Sequence, residues 1–175
     1  NLNIRALEIN GNKVYNATSK GEIYSFDITK PDLINVEQYN SELDSVLSPN
    51  FRSLAIVRDD IFTITIGNPA LLFKNGQVVY REINEKVFYD SMDFWNEREG
   101  IVVGDYMDGC ISILITRDGG ETWKKSDCAI FNNSLPDEGF FAASDTNISI
   151  VGNRTWVASG GINSRVYYSD DKGFS

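Results

Sequence analysis

Short runs of β-branched and aromatic residues alternate along the chain with clusters of Gly, Asn, Asp and Ser, and no stretch holds a helical apolar period for three turns. That pattern predicts an all-β chain. It also repeats. "IRALEINGNKVYNATSKGEIYSFD" begins at Ile4 and "FRSLAIVRDDIFTITIGNPALLFKN" at Phe51. "YDSMDFWNEREGIVVGDYMDGCISILITRD" begins at Tyr89 and "ISIVGNRTWVASGGINSRVYYSDD" at Ile148. Each reads as strand, polar turn, strand, loop, strand. With Leu7, Leu54, Met92 and Ile148 aligned as first-strand anchors, Asp27, Asn75, Asp118 and Asp171 follow 20, 21, 26 and 23 residues later, where the third strand ends.

A fourth strand follows that turn in three units, as "INVEQYN", "QVVYREI" and "ETWKKS". Four-stranded antiparallel units of about 40–50 residues are the blades of a β-propeller. A β-sandwich would use similar strands without needing the repeat. The chain therefore reads as one partial propeller spanning 1–175, with units at approximately 1–46, 47–86, 87–134 and 135–175, the last incomplete. The repeat stops short of its fourth strand and the chain begins with Asn1. Both features are read as those of a piece of a longer protein, in which further blades, or other copies, cover the open sheet faces.

The turn of the third unit fits Ser/Thr-x-Asp-x-Gly-x-Thr/Ser-Trp, with Thr116, Asp118, Gly120, Thr122 and Trp123. The fourth unit supplies Ser169, Asp171, Gly173 and Ser175 in register. This is the Asp-box. A short carboxylate accepts backbone N–H bonds across the turn, the glycine permits a left-handed backbone, and the Trp staples the hairpin from the side. In the first two units the box has decayed to "SFDIT" and "FKNGQ". All four are read as scaffold.

Composition narrows the chemistry. With 42% hydrophobic and 12% aromatic residues, the chain can bury a core. A net charge of −9 repels phosphate backbones, so nucleic acid is not an expected partner. No apolar run approaches the ~20 residues of a membrane-spanning helix. There is no histidine, which excludes a Ser-His-Asp triad and a His-bearing zinc site within these residues. No nucleotide-binding glycine pattern or cluster of metal ligands occurs, and no cofactor is expected. Cys110 and Cys128 lie nine residues either side of Gly119, which leaves two readings, a bridge across the hairpin or two buried thiols. Sequons begin at Asn16, Asn132, Asn147 and Asn153, and in a chain rich in Asn and Ser they are read as chance.

Asp-boxes occur in sialidases, sortilin-type receptors, xyloglucanases and photosystem II assembly-factor propellers, so other segments must discriminate. "IGNPALLFK" (66–74), "MDFWNEREGIVVGDYMDG" (92–109), "ILITRDGGETWKK" (113–125), "LPDEGFFAAS" (135–144) and "GGINSRVYYSDDKG" (160–173) together resemble the photosystem II stability/assembly-factor-like propellers. The resemblance covers most of the chain after Phe51. It implies seven blades, about four of them present here, in an exported, extracytoplasmic protein. In photosynthetic members the propeller escorts a reaction-centre subunit through an arginine-rich patch; the acidic charge here departs from that. "FRSL" at 51–54 shares only two letters with the FRIP motif of sialidases, and no arginine triad accompanies it.

In a propeller the first strand of each blade lines the central channel, and the loops between second and third strands open on one face. Here that face collects Gly67-Asn68-Pro69, Asp105 through Gly109, and Gly160 through Asn163, together with the connection carrying Glu138, Phe140 and Phe141. Arg5 and Arg52 hold equivalent positions before their anchors, and Asp90 takes that position in the third unit. The expected ligand site is therefore Arg52, Asp90, Asp105, Asp108, Glu138 and Phe140. Trp95 and Trp156 are expected between blades. The expected function is capture of a protein or carbohydrate without catalysis. The alternative is a glycoside hydrolase with a carboxylate pair drawn from Asp90, Asp105 and Asp108.

Overall fold

The repeat folds as four sheets, each a meander, because every unit joins its strands through short turns rich in Gly, Asn and Asp. The structure, a computed structural model, describes residues 3–40, 48–131, 135, 138–140 and 146–175. Asn132 and Phe141 lie outside the described residues. The first sheet holds β1 (Ile4–Asn10), β2 (Lys13–Thr18), β3 (Glu22–Asp27) and β4 (Asn35–Gln38) in that order. The second holds β5 (Phe51–Val57), β6 (Asp60–Thr65), β7 (Ala70–Lys74) and β8 (Gln77–Glu82). The third holds β9 (Tyr89–Phe94), β10 (Gly100–Met107), β11 (Cys110–Thr116) and β12 (Lys124–Lys125), followed by a 3-10 helix at Cys128–Phe131. A short pair, β13 (Glu138–Gly139) with β16 (Gly160–Gly161), ties the connection to the fourth sheet. That last sheet has three strands, β14 (Ile148–Val151), β15 (Arg154–Ala158) and β17 (Val166–Ser169).

The anchors fall in ladder register. Leu7 pairs with Asn16, Leu54 with Thr63, Met92 with Val102 and Ile148 with Val157. First strands of successive sheets, β1, β5, β9 and β14, lie beside one another and so line a common axis. The core lies between sheets rather than within one. Leu54, Ile61, Leu71 and Phe73 face Ala6, Tyr15, Ala17 and Ile23 of the first blade. From the same strands, Ala55, Phe62, Ile64 and Leu72 face Met92, Val102, Leu114 and Trp123 of the third. A third cluster joins Ile101, Val103 and Ile113 to Ile148 and Val157 of the fourth. Middle strands are thus covered on both faces, which is why they read as continuous apolar runs instead of alternating ones.

The two outermost sheet faces remain apolar and open. Leu7 is 56% exposed on the first blade, and Val166 is 66% exposed on the fourth. Cys110 and Cys128 form a disulfide with Cα atoms 5.4 Å apart. It ties the start of β11 to the 3-10 helix beyond β12, rather than bridging two paired strands.

Candidate functional site

Both boxes close as the motif's chemistry requires. Asp118 Oδ1 accepts from the Thr116 hydroxyl at 2.9 Å and the Thr122 backbone N–H at 2.9 Å, while Oδ2 accepts the Thr122 hydroxyl at 2.7 Å. In the fourth blade Asp171 accepts the Ser169 and Ser175 hydroxyls at 2.9 and 2.8 Å and the backbone N–H groups of Phe174 and Ser175. Burial opposes ionisation of Asp118, but the bonds from Thr122 and Thr116 outweigh it and hold its carboxyl below the usual range. The Ser175 bonds do the same for Asp171. These acceptors are thus engaged within their own turns.

Trp123 does more than staple its hairpin. It is buried, meets Phe94 edge-on at 5.8 Å and belongs to the core between the second and third blades. The ring partner, Phe94, belongs to the first strand of the same blade, and the cluster around the indole continues into the second blade. In the decayed second box, Asn75 instead accepts the Ile61 N–H at 2.8 Å and forms with Gly76 the two-residue turn of the β7–β8 hairpin.

A cation just before the turn residue links one blade to the next. Lys74 Nζ donates to the Gly119 carbonyl at 2.9 Å and pairs with Glu121 at 2.6 Å. Arg117 Nη2 donates to the Lys172 carbonyl at 2.7 Å, pairs with Glu99 and stacks on Phe174 at 4.0 Å. Each reaches the carbonyl that follows the next blade's box aspartate. These links were not read from the sequence, because the motif leaves that position undefined. Trp95 joins the same junction by donating its indole N–H to Thr155 at 2.6 Å, between blades as expected. Trp156 does not: it packs on Tyr168 of its own sheet at 5.4 Å, on the open outer face.

Arg5, Arg52 and Asp90 hold equivalent places, and the reason is a bulge. The ladder slips between Ile4 and Ala6, between Phe51 and Ser53, and across Asp90, so each is the extra residue of its first strand. Arg52 stacks over Phe88 at 5.8 Å, and Asp90 is 1% exposed. Asp105 is the extra residue of a second bulge in β10 and accepts the Phe140 N–H at 2.9 Å. Asp108 is exposed in the β10–β11 turn and accepts from Asn84 at 3.1 Å.

The remaining two expected ligand contacts are internal. Glu138, its side chain fully buried, accepts the Tyr167 hydroxyl at 2.6 Å, Ser159 at 3.1 Å and the Leu135 N–H at 2.9 Å, and pairs with Arg165 at 3.1 Å. Burial pushes its carboxyl up, but those bonds and the guanidinium outweigh burial and hold it below the usual range. Phe140 is 2% exposed within the core between the third and fourth blades. The β13–β16 pair draws this connection inward, so neither residue offers surface on the loop face.

The structure gathers a different set. A cavity of about 540 Å³ opens along the axis and is bounded by Glu8 of the first blade, Ala55 through Arg58 of the second and Met92, Asp93 and Glu97 of the third. None of the six expected ligand contacts lines it. It opens at the end that carries the first-to-second strand turns and the boxes, since Gly119 donates to the Arg98 carbonyl at 2.8 Å. Burial raises the pKa of Glu8, the negative charge of Asp93 raises it further, and the Ile9 N–H offsets only part. Burial likewise raises Asp93, against one bond from the Phe94 N–H at 2.7 Å. Neither carboxylate forms a salt bridge among the described residues. Arg58 is paired with Glu97 instead. No group of three metal-ligating side chains exists among the described residues, and no described helix is long and apolar enough to cross a membrane.

The arrangement of bladed sheets around an axis recurs in solved structures. The fold is a β-propeller. YCF48 bound to D1 peptide superposes with a TM-score of 0.61 at 15% identity, over 98% of this chain and 52% of that one. The computationally designed Ika4 protein gives 0.55 at 16% identity, covering 94% of this chain and 90% of that one. U3-55K gives 0.58 at 11% identity, covering 95% and 52%. The chain thus spans about half of the YCF48 and U3-55K chains. No family model and no curated protein matches the chain by sequence. At these identities the likeness concerns the fold alone, and the site must be argued from its own residues.

Proposed function

We propose that this propeller is a non-catalytic scaffold that captures a partner protein by a basic segment seated in its axial cavity. The observation that carries this reading is the Glu8–Asp93 pair. Two carboxylates on separate blades face one cavity, each costly to ionise and neither matched by a side-chain cation among the described residues. A lysine or arginine entering the cavity would supply the missing charge and be held most strongly where water is partly excluded. YCF48, whose structure was solved bound to D1 peptide, lends the general mode support. The photosystem II assembly-factor resemblance supports an exported location, and so does the Cys110–Cys128 bridge, which suits an oxidising compartment.

The test is titration of the 175-residue chain with a Gly-Lys-Gly-Arg-Gly peptide, its Glu-substituted counterpart and a panel of neutral oligosaccharides. Binding of the basic peptide that weakens on the order of tenfold in the Glu8→Gln/Asp93→Asn variant is the expected result. Equal binding by that variant overturns the cavity as the site. Turnover of an oligosaccharide that is lost in Asp90→Asn or Asp105→Asn would establish the glycoside hydrolase reading instead.

A further inference from the structure

The disulfide stands where the third blade's main-chain pairing stops. In the second blade the outer strand β8 pairs with β7 along its length, from Ala70 opposite Glu82 to Lys74 opposite Gln77. In the third blade β12 pairs with β11 through Lys124 opposite Ile115 and Lys125 opposite Leu114, and the Ser126 N–H then donates to the Ile113 carbonyl at 2.8 Å. From there the chain leaves the ladder, and Cys128 returns to β11 through sulfur at its first residue, Cys110.

The two cysteines sit in opposite surroundings. Cys110 is 1% exposed and lies within its strand. Cys128 is exposed and opens the 3-10 helix Cys128–Phe131, none of whose residues is buried. The start of that helix bonds back to Asp127, whose carboxylate accepts the Ala129 N–H at 2.9 Å and whose carbonyl accepts the Ile130 N–H at 3.2 Å. Phe131 packs against the core between the third and fourth blades. Segments with little buried surface open at low free energy, and exposed disulfides are the ones that exchange with thiols.

We infer that the Cys110–Cys128 bridge is a thiol-exchange latch, opened by a dithiol that attacks at Cys128. A thiolate of the dithiol bonds to Cys128 Sγ, the Cys110–Cys128 bond breaks, and its electron pair leaves on Cys110 Sγ, which takes up a proton. The second thiol of the dithiol, as thiolate, then attacks the sulfur already bonded to Cys128, closes the reductant's own disulfide and expels Cys128, which is protonated in turn. The bridge gains two electrons and the dithiol loses two. Burial of Cys110 closes the opposite approach. Opening cuts the tie of residues 127–131 to β11 and loosens Phe131 at the junction of the third and fourth blades, while the ladders joining β9, β10 and β11 stay intact.

The test uses the 175-residue chain in native buffer. Dithiothreitol, the dithiol probe, should reduce the bridge without denaturant, and hydrogen exchange followed by NMR should then lose protection at Ala129 and Ile130 but keep it along β10. Glutathione, a monothiol, marks the sulfur attacked: after acid quenching, unfolding and alkylation, mass spectrometry should find it on Cys128. The single variants give the same answer by a second route. The free Cys128 of Cys110→Ser should react with an aromatic disulfide reagent on the order of tenfold or more faster than the free Cys110 of Cys128→Ser. Reduction that needs urea, glutathione on Cys110 or shared equally between the two, equal rates for the two variants, or protection lost across β10 would each overturn the inference and leave the bridge a fixed staple of the blade.

Discussion

Replacing Gly120 with Ala probes how a box turn locks two blades together. Gly120 has φ +78°, and a Cβ added there would lie 2.2 Å from Cε1 and 2.7 Å from Cζ of Phe62 in the second blade. The left-handed backbone alone costs about 1–2 kcal/mol for Ala, offset by roughly 0.4–1 kcal/mol from a stiffer unfolded chain. The clash adds about 1–3 kcal/mol, because overpacking forces neighbours off their preferred positions. Phe62 has little room to yield, with the Phe94 ring 4.7 Å away and the Lys74 ammonium over its face at 5.6 Å. The expected loss is thus about 2–4 kcal/mol. Gly152 is the control: φ is +63° but nothing lies within 4 Å of its added Cβ, so Gly152→Ala should cost no more than about 1.5 kcal/mol. Urea unfolding followed by tryptophan fluorescence measures both. Phe62→Leu combined with Gly120→Ala should recover part of the loss, giving a coupling that independent sites lack. Equal losses for the two glycine variants, or strict additivity with Phe62→Leu, would refute the argument that the box glycine exists for the neighbouring ring.

Lys74→Met removes the donor to the Gly119 carbonyl and the pairing with Glu121, and should cost about 1–2 kcal/mol by urea unfolding, with a loss that shrinks at high salt. Glu8→Gln and Asp93→Asn should each stabilise the fold at neutral pH. Both native carboxyls have raised folded pKa values, so the folded state binds more protons and stability falls as pH rises from the unfolded pKa through the folded one. Thermal melts across that window should show the fall in the native chain and a flatter profile in the variants. Replacing Cys110 and Cys128 together with Ser opens a link of sequence separation 18 and should cost about 3 kcal/mol, read by unfolding with and without reductant. Glu138→Ala should destabilise by about 1–3 kcal/mol, because it removes the buried carboxylate that pairs with Arg165 and accepts from Tyr167 and Ser159. A loss below 1 kcal/mol would show that pair to be peripheral.

Features that depend on neighbours close along the chain can be read from the residues alone. Strand period, turn residues and the box spacing are local, so the all-β meander and the carboxylate-capped turns at Asp118 and Asp171 were legible in the residues. Equivalent positions such as Arg5, Arg52 and Asp90 were legible too, because a bulge recurs with the repeat that carries it. Which blade face each side chain meets is set by the packing of one sheet on the next. In strands apolar on both faces no alternation marks a side, so the inward turn of Phe140 and the lodging of Trp123 between blades left no local trace. Glu138 looked like a loop carboxylate because its partners, Ser159, Arg165 and Tyr167, come from the following blade. The axial cavity was hidden for the same reason. Glu8 and Asp93 belong to first strands of different blades, and only packing those strands around one axis brings the two charges within each other's field.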